Sequence, residues 1–262
     1  MRYLVIAVFV IMGYAGSVQA QLHREFIEYK DGEALLEGYL VYDDAVSGKR
    51  PGVAVVHEWW GLNAYIEKRA DELAKLGYVA FAIDMYGKGI HTNDPNRAGE
   101  LSGLYVKDRK RMRSRADEGL EILRKHTLVD AGRIAAIGYC FGGTTVLELA
   151  RSGARLNGVA SFHGGLDTPV PGDAKNIKGS VFVLHGADDP FQSREKVEAF
   201  QDEMRKSGAD WEMNIYGGAQ HGFTNPDADS YGIKGVAYNQ KADKRSWEDM
   251  KRFFREIFKE NP

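Results

Sequence analysis

Short β-branched apolar runs alternate with stretches of helical period along most of this 262-residue chain, and that alternation limits the fold to one class. Residues 52–57 (GVAVVH), 79–85 (VAFAIDM), 133–139 (RIAAIGY), 159–163, 180–185 and 212–216 read as strands. Between them, 64–76 carries Ile66, Ala70, Leu73 and Ala74 on one helical face, with Gly77 as a stop. The stretch 95–126 predicts one long or broken helix, and 144–151 and 194–206 predict two more. A last helix, 241–258, has Trp247, Met250, Phe254 and Phe258 at helical spacing. Strands separated by helices imply βαβ units, hence an α/β fold with a mostly parallel central sheet and helices on both faces. Residues 35–42 (LLEGYLVY) alternate as an antiparallel strand of an N-terminal hairpin. With no internal repeat and no composition break, residues 21–262 form a single domain.

The first twenty residues are read apart from it. A basic start at Arg2, an apolar run from Leu4 to Met12 and the small-residue end Val18-Gln19-Ala20 have the layout of a secretory signal peptide. The run is shorter than the ~20 residues a spanning helix needs, so cleavage after Ala20 is expected, leaving a periplasmic protein without a membrane anchor. A formal net charge of −2 argues against a nucleic-acid partner. The basic stretch 107–115 (KDRKRMRSR) reads as a solvated helix face. No feature sets the oligomeric state.

The chain has one cysteine, which in an exported protein has no internal partner. It lies in Gly138-Tyr139-Cys140-Phe141-Gly142-Gly143, between a predicted strand and a predicted helix. That is the spacing of the G-x-S-x-G nucleophile elbow with Cys in place of Ser. The turn strains its central residue, the glycines spare it a collision, and a helix N-terminus favours a thiolate and an oxyanion. A buried, inert cysteine in a Gly-rich turn is the bland alternative.

In such a fold an acid and then a histidine follow the nucleophile on later strand-end loops. The loop His185-Gly186-Ala187-Asp188-Asp189-Pro190 offers Asp189 as the acid, with Asp188 as its competitor, and the loop Gly217–Phe223 offers His221 as the base. His163 and His185 also fall at strand ends, where they line or buttress the cleft. Their loops lack a compact ligand spacing, so no metal site is expected. After the strand 52–57, the loop His57-Glu58-Trp59-Trp60-Gly61 is placed to give an oxyanion-holding N–H from Trp59, beside that of Phe141. Glu58 is either a carboxyl in a Trp-walled pocket or a glutamate turned to solvent. Trp59, Trp60, Tyr86 and Phe223 are expected to form aromatic pocket walls.

With G-x-C-x-G, H-E-W-W-G, D-M-Y-G-K, H-G-A-D-D-P and H-G-F in this order, the chain resembles the dienelactone hydrolase family of the α/β-hydrolase superfamily over roughly residues 34–258. The resemblance implies Cys140 as nucleophile, Asp189 as acid, His221 as base and the Trp59 and Phe141 amides as oxyanion hole. It implies that Glu58 contacts the resting thiol and helps deprotonate it. Members that cleave acidic dienelactones hold the substrate carboxylate with two arginines, and here those positions read Lys88 and Asn225. Lysine keeps the charge without the bidentate fork, and asparagine keeps neither. The expected function is hydrolysis of a small ester or lactone through a thioester, with no cofactor. The rival readings are a thiol-reactive or ligand-binding protein on a hydrolase scaffold, and acyl transfer or peptidase activity on the same residues.

Overall fold

The computed structural model describes residues 21–259. Its eight strands are β1 (Leu22–Asp31), β2 (Ala34–Asp43), β3 (Arg50–Val56), β4 (Val79–Ile83), β5 (Val129–Tyr139), β6 (Gly158–Phe162), β7 (Ser180–Gly186) and β8 (Trp211–Tyr216). The six α-helices are α1 (Ala64–Lys75), α2 (Pro95–Val106), α3 (Arg109–Lys125), α4 (Phe141–Arg151), α5 (Arg194–Ser207) and α6 (Gln240–Phe258). One sheet runs in the order β1-β2-β4-β3-β5-β6-β7-β8. The hairpin β1–β2 is antiparallel and joins β4 antiparallel, and β3 to β8 are parallel throughout. This is the α/β-hydrolase fold.

The strands are buried on both sides, which is why they read as continuous apolar runs. Along them, alternate residues feed two cores. Val53, Val55, Ala135 and Ile137 face α1 and α6, which supply Ile66, Leu73, Met250 and Phe254. Ala54, Val56, Ile134 and Ala136 face the other side, where α3, α4 and α5 supply Met112, Leu120, Val146 and Phe200. Helix α4 is buried along its whole length.

Two readings of the sequence are refined. The stretch 95–126 is two helices, because the side chain of Asp108 accepts from the Arg111 amide and starts α3 anew. The basic stretch is not simply a solvated face. Arg115 is buried, bonded to Asp31 (2.6 Å) and the Met85 carbonyl (3.1 Å), while Arg113 reaches Glu148 (2.8 Å) and Asp173 (2.6 Å). Arginines flanking the apolar stripe of α3 lay their stems along the core and find carboxylates on neighbouring elements. The signal-peptide reading of residues 1–20 lies outside the described residues. None of the helices among those described is long and apolar enough to cross a membrane.

Candidate active site

The parallel strands β3, β5, β7 and β8 end on one rim, and each sends a loop over it. At the tip of β5 the chain turns sharply into α4, and Cys140 sits in the turn with φ 53° and ψ −113°, a conformation costly for a residue with a side chain. The neighbouring glycines make the turn possible. A Cβ on Gly138 would lie 2.1 Å from the Gly142 carbonyl oxygen, and one on Gly142 would lie 2.1 Å from that of Val56. The half-buried thiol is thus carried at the N-terminus of α4, where the Phe141 amide has no carbonyl of its own helix to meet.

The loop after β8 brings His221 to that thiol, with Nε2 3.0 Å from Cys140 Sγ. On the far side of the ring, Nδ1 lies 2.8 Å from Asp189 Oδ2 on the loop after β7. Asp189 is buried, and its other oxygen accepts the Phe191 amide at 2.9 Å. Asp188 points to solvent, so of the two aspartates Asp189 meets the histidine. Burial works against a charge on His221. The Cys140 sulfur and the Asp189 carboxylate outweigh it and hold His221 well above the ordinary histidine range. The other three histidines of this rim, His57, His163 and His185, are pushed the opposite way, first of all by burial.

Glu58 is a buried carboxyl, not one turned to solvent, and burial raises its pKa to about 7. Its Oε2 accepts from Asn225 Nδ2 at 2.7 Å. The thiol therefore pairs with His221 while Glu58 is held by Asn225, which differs from the expected contact between Glu58 and the resting thiol. Asn225 itself is wholly buried and does not reach the cavity, so its part is to orient Glu58.

A cavity of about 260 Å³ opens over the thiol. Trp59 and Trp60 form part of its wall, as their loop placement predicts, and Glu58, Cys140, His221, Phe191, Gly222, Ala228, Tyr231, Ile233 and Val236 line the rest. The remaining expected substrate contacts are corrected by their surroundings. Tyr86 packs on His57 and Phe141, and its hydroxyl donates to the Trp59 carbonyl at 3.0 Å, supporting the loop from behind. Phe223 turns into the core between Tyr216 and His163, because Gly222 (φ 70°) reverses the chain after His221. His163 is buried beneath the elbow, its Nδ1 3.2 Å from the Cys140 amide nitrogen. Lys88 lies outside the cavity, paired with Glu28 and with Glu37 (2.9 Å) beside the hairpin. No lysine or arginine is among the lining residues.

Sequence reasoning missed the wall formed by Phe191, Ala228, Tyr231, Ile233 and Val236. Ala228 and Tyr231 bound a single 3-10 turn and Ile233 and Val236 follow it in irregular chain, so the local hint was no more than their apolar character after His221. Their placement depends on a parallel bridge between His221 and Val236 and on Tyr231 packing against Trp60, 4.4 Å between centroids. Among the described residues, no cluster of three or more His, Cys, Asp or Glu is arranged to hold a metal ion.

A sequence model described as the dienelactone hydrolase family matches residues 36–258. The chain belongs to the dienelactone hydrolase family. Within this family, it is 41% identical to a solved dienelactone hydrolase-like promiscuous phosphotriesterase from metagenomic libraries (TM-score 0.87), over 91% of this chain and 99% of that one. It is 42% identical to a solved protein titled m3DLH, over 90% and 98% of the two chains, with the same TM-score of 0.87. A relative from Aquifex aeolicus (strain VF5) named "Putative carboxymethylenebutenolidase" is 26% identical over 239 residues, 90% of this chain and 99% of that one. As a dienelactone hydrolase family member the protein is a hydrolase that acts on lactones or esters.

Proposed function

We propose that this family member hydrolyses uncharged carboxylic esters or lactones, with Cys140 as nucleophile, His221 as proton carrier and Asp189 as the group that orients and charges His221. The observation that carries the reading is the line Cys140–His221–Asp189, at 3.0 and 2.8 Å, on the wall of an apolar cavity. The raised pKa of His221, whose Nε2 lies 3.0 Å from Cys140 Sγ, suits it to hold the proton that the sulfur gives up as it attacks.

In this scheme Sγ adds to the substrate carbonyl carbon, and the Phe141 and Trp59 amides stabilise the oxygen that takes the charge. The C–O bond then breaks, His221 gives its proton to the leaving alkoxide, and a thioester to Cys140 remains. A water, deprotonated by His221, adds to the thioester carbonyl. Its collapse releases the carboxylic acid and returns the thiolate–imidazolium pair. With a lactone, acid and alcohol leave as one hydroxy acid.

The walls set the preference for an uncharged acyl group. The cavity offers aromatic and aliphatic surface and no lysine or arginine, and Glu58 would oppose a substrate carboxylate. Hydrolysis of p-nitrophenyl esters and lactones by the protein and by Cys140→Ala tests the scheme. Activity lost in the variant supports it, whereas equal activity in both removes Cys140 as nucleophile.

A second reading is phosphotriester hydrolysis at the same thiol. The 41% identical relative bears that activity in its title, and a phosphotriester is likewise uncharged. A p-nitrophenyl phosphotriester in the same panel decides it.

Export is part of the proposal, with cleavage after Ala20. The Gln21 backbone nitrogen lies 3.0 Å from Asp43 Oδ1, so an α-ammonium freed there would gain a carboxylate partner. The N-terminal mass of periplasmic material tests it.

A further inference from the structure

Beneath Cys140 a buried chain of hydrogen bonds joins the backbone of the nucleophile turn to the loop that carries His221. His163 stands at its centre, just past β6, fully buried and itself in a strained conformation with φ 40°. The Cys140 amide donates to the Phe162 carbonyl (3.0 Å) and to His163 Nδ1 (3.2 Å). A ring nitrogen that accepts carries no proton, so in the neutral ring the proton sits on Nε2. That nitrogen lies 2.7 Å from Thr224 Oγ1 and donates to it.

Thr224 is three residues beyond His221 and is anchored from the other side. Its carbonyl accepts from Arg69 Nη2 at 2.7 Å, and its hydroxyl lies 2.7 Å from that of Tyr65, which in turn accepts from Arg69 Nε at 3.3 Å. Arg69, on α1, is buried and paired with Glu72 of the same helix and Asp243 of α6. The His221 loop is thus fixed to the helix layer through Arg69, and to the thiol-bearing turn through His163.

The two neighbouring imidazoles divide their roles. Their centroids are 5.3 Å apart. Burial, followed by the charges of His221, Arg69 and His185, keeps His163 neutral, while Cys140 and Asp189 favour the proton on His221. A protonated His163 would present an N–H to the Cys140 N–H and break the chain.

We propose that His163 is a positioning residue that, through the Thr224 hydroxyl, sets the distance between the Cys140 thiol and the His221 ring. The inference rests on the proposed pairing of Cys140 with His221, and its test reads that pairing without turnover. Alkylation of Cys140 by iodoacetamide is followed across pH for the full protein and for Thr224→Val and Thr224→Ser, together with kcat, KM and thermal melts.

The expected result for Thr224→Val is a folded protein with KM nearly unchanged and kcat lower by about tenfold to a hundredfold. The midpoint of its alkylation profile moves up, because a thiolate without a well-placed imidazolium is less stable. Thr224→Ser keeps the hydroxyl and restores both. A folded Thr224→Val with the parental kcat and alkylation profile overturns the proposal, as does equal damage from Ser and Val. Where Thr224→Val melts below assay temperature, His163→Gln serves, since it keeps a donor near Nε2 and loses the Nδ1 acceptor. Its alkylation midpoint rises if the proposal holds and stays in place if it does not. The expected alkylation shifts in a protein that cleaves no ester would support this inference while overturning the proposed function.

Discussion

Gly142→Ala sets helix propensity against steric fit at the Cys140 turn. Gly142 is the second residue of α4, and replacing a helical glycine by alanine ordinarily stabilises by about 1 kcal/mol. Here the added Cβ would stand 2.1 Å from the Val56 carbonyl oxygen, 2.6 Å from its carbon and 2.7 Å from the His57 oxygen. Ordinary contact begins at 3.4 Å, so the turn and the end of β3 have to separate by about 1.3 Å. Both partners are backbone, and neither can swing aside. One side of the gap bears the thiol and the Phe141 amide, and the other leads directly into Glu58 and Trp59. A displacement near 1 Å costs on the order of 10²-fold in rate, about 2.7 kcal/mol of transition-state stabilisation, and the propensity gain, which acts on folding, returns none of it. The assay is kcat/KM toward a p-nitrophenyl ester with a parallel thermal melt. Gly103→Ala in α2, where an added Cβ meets nothing within 4 Å, is the control expected to keep full activity. A folded Gly142→Ala protein within about threefold of the parental kcat/KM would refute the reasoning.

Asp189→Asn is expected to lower kcat by about 10³- to 10⁴-fold through loss of the His221 orientation, and Asp188→Asn to leave steady-state kinetics unchanged. Glu58 is raised from 4.5 to about 7 by burial, so the folded state holds a proton that the unfolded chain releases, and stability falls as pH rises between those values. Urea unfolding should therefore show Glu58→Gln gaining about 2–3 kcal/mol on the parent between pH 5 and pH 8, and a constant difference would contradict the assignment. Lys88→Ala should leave the ratio of kcat/KM for charged and uncharged esters unaltered, because Lys88 faces Glu28 and Glu37 outside the cavity.

The sheet and the residues around the thiol were legible because they rest on local patterns. Buried parallel strands are apolar runs whatever packs on them, and the Cys140 turn needs its glycines within the same few residues. Asp189 and His221 were found because strand-end loops follow from strand assignment. The cavity wall was not legible, since Ala228 and Tyr231 lie in a single 3-10 turn and Ile233 and Val236 in the loop after it, stretches too short to show a period. Tyr86 and Phe223 were placed in the cavity for being aromatic near a strand end. Yet the turn at Gly222 sends Phe223 into the core, and Tyr86 spends its hydroxyl on the Trp59 carbonyl. Glu58 could not be assigned from sequence alone, because its burial depends on Asn225, 167 positions away.

Helix α4 has no wet side. From Phe141 to Arg151 every residue is enclosed, by the sheet on one hand and by the layer of α3 on the other. Such a helix cannot fray on its own, so its amides should exchange hydrogen for deuterium only when the whole domain opens. Cys140 is thereby mounted on the part of the molecule expected to open last.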